Sequence, residues 1–396
     1  MPHFEAWYPQ FGSRLNAIML ANCSEQLQYY RMSDPPYSCR GCKAASVQTC
    51  LPDSAPGWMK ANMAIGVGCL AEAVETCILA NAPEWMKSNM GAAGVLLGLL
   101  PTILSLAGPD TAETGLLAQR RPFLASLIAL GSPAVSPYRM FMASDPAELL
   151  LSDKKSGTGS LMDIQNLGFM QKLGILAAQY LLAAAAVVGV FHNSWTLGVQ
   201  TLCSFSTEST YHPLLWAATA LLANTVSAIA TLLRIAITEH QHEHGHRPGP
   251  PVVLSSSPPP VTYYTLLPAK LQRMLQREFQ LSGAPSHTTT SIIITRKPNS
   301  YPAAIAAWLT STGTILHIIY GTITFSTVVF ISTQDALGVV ARYLVSTLVC
   351  RIILNFELSG MRAVVRGDGE GEGDGQGTAV VVGARPGQML KAQTAP

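Results

Sequence analysis

Two apolar stretches decide the fold of this chain, LGILAAQYLLAAAAVVGVF at residues 173–191 and LLWAATALLANTVSAIATLLRIAI at residues 214–237. A helix rises about 1.5 Å per residue, so it needs about 20 mostly apolar residues to cross the roughly 30 Å of hydrocarbon in a bilayer. Both stretches come close to that length or exceed it. We therefore predict that both are membrane-spanning helices.

The connector between the two stretches indicates their orientation. Residues 192–213 contain no lysine or arginine, whereas basic residues precede the first stretch and follow the second. Short loops on the cytoplasmic side of a membrane are enriched in lysine and arginine. We therefore expect residues 192–213 to lie outside.

Three more apolar segments complete the predicted fold class, an all-α multi-pass transmembrane helical bundle. The five predicted spans are about 89–108, 173–191, 214–237, 303–331 and 337–354. They leave the N-terminus outside and the C-terminus inside, with basic residues on all three inner segments. A six-span alternative adds residues 61–80 and moves the N-terminus inside. Glu72 and Glu75 argue against it, because each would cost about 2.5–3.5 kcal/mol at mid-span.

Composition excludes several classes of protein. Of the 396 residues, 48% are hydrophobic and only 12% are charged, whereas charged residues make up about 25% of an average soluble domain. The net charge of +2 is too small to indicate a nucleic-acid partner. The expected surroundings are a lipid bilayer, in the plasma membrane or a membrane of the secretory pathway.

Residues 1–60 are predicted to be a polar, loop-rich region outside the membrane. Half of the eight cysteines lie there, and the candidates for disulfides are Cys23, Cys39, Cys42 and Cys50. The other cysteines are interpreted as packing residues: Cys69, Cys77, Cys203 and Cys350. Asn22 begins the sequon Asn-Cys-Ser, so we expect N-glycosylation at Asn22 if this region is lumenal.

A short tandem repeat follows the N-terminal region. TCLPDSAPGWMKANM begins at Thr49 and returns as TCILANAPEWMKSNM at Thr76. Only the second copy continues into a long apolar segment, so residues 61–88 are predicted to be amphipathic and to lie on the outer surface. An alternative hypothesis places Glu72 and Glu75, which share one helix face, inside the bundle as a proton or cation site.

Residues 112–135 are predicted to form an interfacial helix at the inner face, between the first and second spans of the region 89–238. Its apolar part is too short to cross the bilayer. Pro122 suits a first helical turn, and we expect the preceding Arg120 and Arg121 to snorkel into the headgroups.

Around residues 89–137 the strings GLLPTIL, AETGLLAQRRPFLA and ALGSPAVSP resemble a group of fungal multi-pass membrane proteins of unassigned function. The resemblance covers about an eighth of the chain. It implies a membrane location and supplies no catalytic residue.

Two spans carry stripes of polar residues at helical spacing. On the third span they are Asn224, Ser227, Thr231 and Arg234, and on the fourth they are Thr310, Thr314 and His317. Such stripes keep within a narrow arc of a helix. Two hypotheses remain open: close helix packing, or a polar path through the bundle with His317 as its titratable member.

Residues 239–300 are predicted to be an inner loop rich in histidine and proline. Its alternating histidines are His240, His242, His244 and His246. Neutral imidazole binds zinc, nickel and copper, so weak binding of a divalent metal is one hypothesis. Zinc transport is a weaker one, because no aspartate lies in any predicted span. Residues 266–279 have the pattern of a basic amphipathic helix on an anionic membrane face.

Residues 301–358 hold the last two spans, and the final one includes Arg342 and Arg351. The two arginines fall on opposite helix faces, each near a span end. We expect them to snorkel; an anion pathway is the alternative. The tail at residues 359–396 is rich in glycine and acidic residues and is predicted to be disordered.

The chain contains no catalytic or cofactor-binding motif in its required context. We therefore expect no cofactor, and the leading hypothesis is a non-enzymatic integral membrane protein with a structural, interaction or accessory role. It would act with protein partners or as a homo-oligomer. The alternative is a transporter or channel for a small solute or cation that uses the polar stripes, and a membrane enzyme is the third hypothesis.

Overall fold

The computed structural model describes residues 3–31, 68–133, 135–136, 168–207, 209–241, 278–282, 289–296 and 300–366. Its helices are α1 Pro9–Asn22, α2 Ser24–Arg31, α3 Gly68–Asn81, α4 Glu84–Gly98, α5 Leu100–Ala107, α6 Thr111–Arg120, α7 Pro122–Gly131, α8 Phe169–Gln200, α9 His212–Arg234, α10 Tyr301–Ser326 and α11 Thr333–Arg366. Its strands are β1 Leu202–Cys203, β2 Ile235–Gln241, β3 Thr289–Arg296 and β4 Val328–Val329.

Five helical segments are long and apolar enough to cross a membrane: Glu84–Ala107, Phe169–Gln200, His212–Arg234, Tyr301–Ser326 and Thr333–Met361. They confirm the predicted all-α multi-pass membrane fold, with bounds that differ from the predicted ones by one to nine residues. Large apolar side chains such as Leu181, Leu222 and Ile352 are exposed on these helices. A continuous apolar exterior is what a lipid environment requires.

The long helices define two ends of the bundle. Two connectors, between α8 and α9 and between α10 and α11, meet where β1 pairs with β4, with Leu202 opposite Val329. We call this the outer end, following the predicted orientation, and the opposite end the inner end. The N-terminal helices pack at the outer end, whereas α11 ends at the inner end.

An outer cap forms from residues 3–31 and 68–90. Its apolar centre includes Phe11, Leu15, Ile78 and Met86, all essentially inaccessible to solvent. It joins the bundle through Phe330, which lies in the same cluster and contacts the Trp7 ring edge to face. The prediction of a loop-rich region is therefore wrong for residues 9–31, which form two helices.

A disulfide joins Cys23 in the outer cap to Cys77 on α3. The interpretation of Cys77 as a packing residue is therefore wrong, and the predicted candidates Cys39, Cys42 and Cys50 lie outside the described residues. Cys203 and Cys350 are free and buried, which confirms their packing role. Burial raises the pKa of the Cys203 thiol to about 12, and the nearby Glu75 adds to the rise.

The two carboxylates of the repeat region lie in the outer cap, and the apolar face of α3 packs on α1 and α2. Glu72 is exposed, whereas Glu75 is buried and accepts a hydrogen bond from the Ser204 hydroxyl at 2.7 Å. Burial raises the pKa of Glu75; the Ser204 hydrogen bond lowers it and Glu72 raises it further. The hypothesis that the pair enters the bundle as an ion site is not supported.

The inner end is covered partly by a β-ribbon. β2 continues directly from α9 and pairs with β3 in antiparallel register, so the inner loop is not free of regular structure. His240 lies in β2, opposite Ser291, while His242, His244 and His246 lie outside the described residues. α11 continues to Arg366, so the predicted disordered tail is helical over residues 359–366.

Candidate functional site

The first membrane crossing continues beyond α5 into α6, and this stretch, residues 84–120, which we call the broken crossing, is interrupted inside the bundle. α5 ends at Ala107 and α6 begins at Thr111, because Pro109 has no N–H to donate and favours a helix end before it. Asp110 restarts the helix with a capping box: its carboxylate accepts from the Ala112 N–H, and its own N–H donates to the Glu113 carboxylate. The break is therefore encoded locally.

α7 is a re-entrant helix that runs from the inner end to the middle of the bundle. A Cβ at Gly131, its last residue, would lie 2.8 Å from Cys350 Sγ and 3.0 Å from Ala186 Cβ, two residues near the midpoints of α11 and α8. The residue before α7, Arg121, contacts Gln179 and Glu357. These lie about two helical turns, or about 10 Å, nearer the inner end.

This arrangement contradicts the predicted interfacial helix at residues 112–135. Arg121 is fully buried and pairs with the fully buried Glu357 at 2.7 Å. It also donates to the Gln179 side-chain oxygen and the Glu278 carbonyl, both at 2.9 Å. Arg120 is buried as well. Neither arginine snorkels, because acceptors inside the protein replace the headgroups. Only the start of a helix at Pro122 is confirmed.

A second ion pair lies at the break. Arg351 on α11 pairs with Glu113 and donates to the Gly108 carbonyl at 3.4 Å. It thereby binds the C-terminal end of α5 and the first turn of α6 at once. The prediction that Arg351 snorkels is therefore wrong, whereas Arg342 is exposed.

The polar stripe on α9 faces the broken crossing. The Thr114 hydroxyl donates to Asn224 Oδ1 at 2.6 Å, and the Ser227 hydroxyl donates to the Thr111 carbonyl at 2.7 Å. Thr231 lies against Gly115, where a Cβ would meet its hydroxyl at 2.6 Å. The fourth residue of the stripe, Arg234, is half-buried at the inner end of α9.

His317 on α10 contacts Pro133, two residues after the end of α7. Its Nε2 lies 2.9 Å from the Pro133 carbonyl, and its Nδ1 lies 3.1 Å from the Thr219 hydroxyl. A carbonyl only accepts, so Nε2 carries a proton. The ring stacks on Trp216, with centroids 5.2 Å apart and planes 14° apart.

The two stripes are buried but do not join into one set of contacts. Thr310 and Thr314 donate to the carbonyls of Ala306 and Thr310, within their own helix. Asn224 and Ser227 bind α6, whereas His317 binds Pro133. Both stripes contact residues 110–136. The backbones of Asp110 and Ser136, at the two ends of this segment, form an isolated parallel β-bridge.

Gly321 permits the close approach of α5 and α9 to α10, one turn beyond His317. A Cβ there would lie 2.3 Å from Trp216 Nε1 and 2.8 Å from Pro101 Cγ, and Trp216 is buried against His317 and cannot yield. We expect Gly321→Ala to lower the free energy of unfolding by about 1–3 kcal/mol. Gly313→Ala on the same helix is the control, since its Cβ would meet nothing within 4 Å. Denaturant unfolding in detergent measures both, and equal stabilities would contradict the geometry.

Sequence reasoning missed four members of the site: Glu113, Gln179, Glu278 and Glu357. Asp110 and Glu113 have the spacing of a capping box, so that signal was present in the sequence. The other three depend on contacts between distant parts of the chain and have no local signature. Within the described ranges, no three His, Cys, Asp or Glu side chains come together in a way that could hold a metal ion.

The candidate site consists of the broken crossing, the re-entrant helix, the buried pair of Arg121 and Glu357, and the pair of Glu113 and the half-buried Arg351. Comparison with known protein families, with curated proteins and with solved structures gave no match for this chain.

Proposed function

We propose that this protein is a transporter or channel for a small solute or cation, and that the broken crossing is its conducting element. The observation that carries the proposal is the break at Gly108–Asp110 in the middle of the bundle. Irregular backbone at membrane depth is tolerated only where it is buried in protein or lines a cavity. Broken helices of this kind form the binding sites of many transporters.

The chemistry at the break supports this proposal. The first turn of α6 directs backbone N–H groups and the positive end of the helix dipole toward the break. Glu113 and Arg351 neutralise each other there. A cation that binds Glu113 must displace Arg351, and an anion that binds Arg351 must displace Glu113. Displacing Arg351 would also break its bond to the Gly108 carbonyl, and displacing Glu113 would break the capping box at Asp110, so either exchange would open the break.

Flux measurements on the purified protein in lipid vesicles test this function. The panel contains protons, sodium, potassium, chloride and small neutral solutes. For the transported solute we expect Arg351→Gln to reduce flux at least about tenfold, since a tenfold change corresponds to only about 1.4 kcal/mol. Arg342→Gln is the matched control, because Arg342 lies on the same helix and is exposed. We expect no loss of flux in this variant.

A double variant tests the contacts that the polar stripes make with residues 110–136. His317→Ala combined with Asn224→Ala removes the hydrogen bonds to Pro133 and Thr114, and we expect it to abolish the same flux. Size-exclusion profiles establish that each variant is folded. Absence of flux for the whole panel, from a folded wild-type protein, would contradict the proposal.

The second candidate function is a non-enzymatic structural, interaction or accessory role, and the outer cap favours it. A disulfide cross-links this cap. The cap surface includes Trp85 and Leu20, which are 50% and 66% exposed. Exposed apolar side chains on a rigid surface suit a protein partner or a second copy of the chain. Co-purification of a partner that Trp85→Ala abolishes, without any flux, would favour this role.

We further propose that the outer cap lies on the extracytoplasmic side of the plasma membrane or of a secretory-pathway membrane. Asn22 and Ser24 of the sequon are both exposed among the described residues, which leaves space for a glycan at Asn22 in that part of the structure. We expect glycosidase treatment of the native protein to increase its gel mobility. Asn22→Gln should remove the shift, and a wild-type protein without any shift would contradict this orientation.

A further inference from the structure

A short segment of the inner loop, residues 278–282, is packed into the inner end of the bundle. Glu278, Leu281 and Ser282 are 3%, 4% and 1% exposed. Leu281 packs against Leu176 of α8, while Gln280 is exposed. The segment belongs to none of the spanning helices, although three of its five residues are as buried as the core of those helices.

The carboxylate of Glu278 caps the re-entrant helix α7. It accepts from the N–H groups of Phe123 and Leu124, at 3.2 and 2.8 Å, and from the Tyr180 hydroxyl at 2.7 Å. The first N–H groups of a helix have no partner within the helix, and the N-cap residue Arg121 supplies no side-chain cap. A residue 154 positions away in the chain therefore satisfies the start of α7.

The backbone of the segment forms three more bonds that tie the same elements together. The Glu278 carbonyl accepts from Arg121 Nε at 2.9 Å, and the Ser282 carbonyl accepts from Arg120 at 3.4 Å. The Ser282 N–H donates to Glu357 Oε2 at 3.2 Å. The segment thus contacts the residues before α7, the helix α8 through Tyr180, and the helix α11 through Glu357.

We infer that residues 278–282 are an inner latch, which positions the re-entrant helix α7 and releases it when Glu278 leaves the helix N-terminus. The carboxylate accepts charge-assisted hydrogen bonds, and the positive end of the helix dipole stabilises its negative charge. With Glu278 withdrawn, the N–H groups of Phe123 and the buried Leu124 lose their acceptor, and α7 loses its fixed position at the inner end. An event on the inner loop thereby reaches Pro133 and His317 in the middle of the bundle.

The inference rests on these contacts and does not depend on transport. Hydrogen–deuterium exchange of the full-length protein in detergent micelles tests it through the amides of residues 123–131. We expect Glu278→Gln to speed exchange at these amides at least about tenfold, because an amide group cannot offer two acceptor oxygens to Phe123 and Leu124. Amides of α1, in the outer cap and away from the latch, serve as the internal reference, and we expect no change there.

Two further variants keep the test decisive. Gln280→Ala changes an exposed neighbour in the same segment, and exchange in α7 should remain at the wild-type rate. Glu278→Asp keeps the charge and should restore part of the protection that Glu278→Gln loses, which a purely structural loss would not do. Unchanged exchange in Glu278→Gln, or equal effects of Glu278→Gln and Gln280→Ala, would overturn the latch. If Glu278→Gln does not fold, the Glu278→Asp protein decides: wild-type exchange in α7 would overturn the latch and faster exchange would support it.

Discussion

Glu357→Gln is expected to lower the free energy of unfolding by about 3–5 kcal/mol, the typical cost of breaking a fully buried ion pair. Glu357 and Arg121 are both fully buried and 2.7 Å apart. Glutamine offers one acceptor oxygen where the carboxylate offers two, and these two oxygens serve Arg121, Gln179 and Ser282. The variant therefore leaves the guanidinium charge without its counter-ion and one further donor without an acceptor.

Denaturant unfolding in detergent micelles measures this loss, and two variants serve as controls. Glu84→Gln breaks a surface pair with Lys87, in which the Glu84 side chain is 88% exposed, and we expect no measurable change. Arg121→Met combined with Glu357→Gln removes both charges, so its cost should be smaller than that of Glu357→Gln alone. A loss below about 1 kcal/mol in Glu357→Gln would show that the pair is accessible to water.

Cys77→Ser is expected to destabilise the outer cap by about 2–4 kcal/mol. The disulfide to Cys23 closes a loop across a sequence separation of 54 residues, so its removal gives the unfolded cap far more conformational freedom. Unfolding in detergent with and without a reductant measures the effect. The reductant should destabilise the wild-type protein and leave Cys77→Ser unchanged. If both proteins respond equally, the bond does not form between these two residues.

The spans were predictable from the sequence because insertion depends on a local sum. Each apolar residue of Leu173–Phe191 contributes to transfer into lipid independently of the rest of the chain. The predicted segment therefore falls within α8, which extends four residues beyond it at one end and nine at the other. The same holds for the polar stripes, since Asn224 and Thr231 are buried as their spacing predicted. Their partners on α6 were not predictable from that spacing.

The re-entrant helix was predicted in the wrong place because the same local sequence is compatible with two positions of the helix. A short apolar helix preceded by Arg120 and Arg121 lies at the interface if the arginines can reach only headgroups. It enters the bundle if acceptors inside the protein satisfy them. Glu278 and Glu357 decide between these outcomes, and both lie more than 150 positions further along the chain.

Sequence by itself determined that this chain is a helical membrane protein with five crossings. The helix end before Pro109 and the capping box at Asp110 are also encoded within a few residues, although neither was predicted. Those features follow from hydrophobic length and from capping within a few residues. Only the tertiary structure decided which partners the charges inside the bundle find: Arg121 pairs with Glu357, Arg351 pairs with Glu113, and Glu278 caps the start of α7. A charge in a medium of low polarity is stable only beside a partner, and the partner's distance in space bears no relation to its distance along the chain.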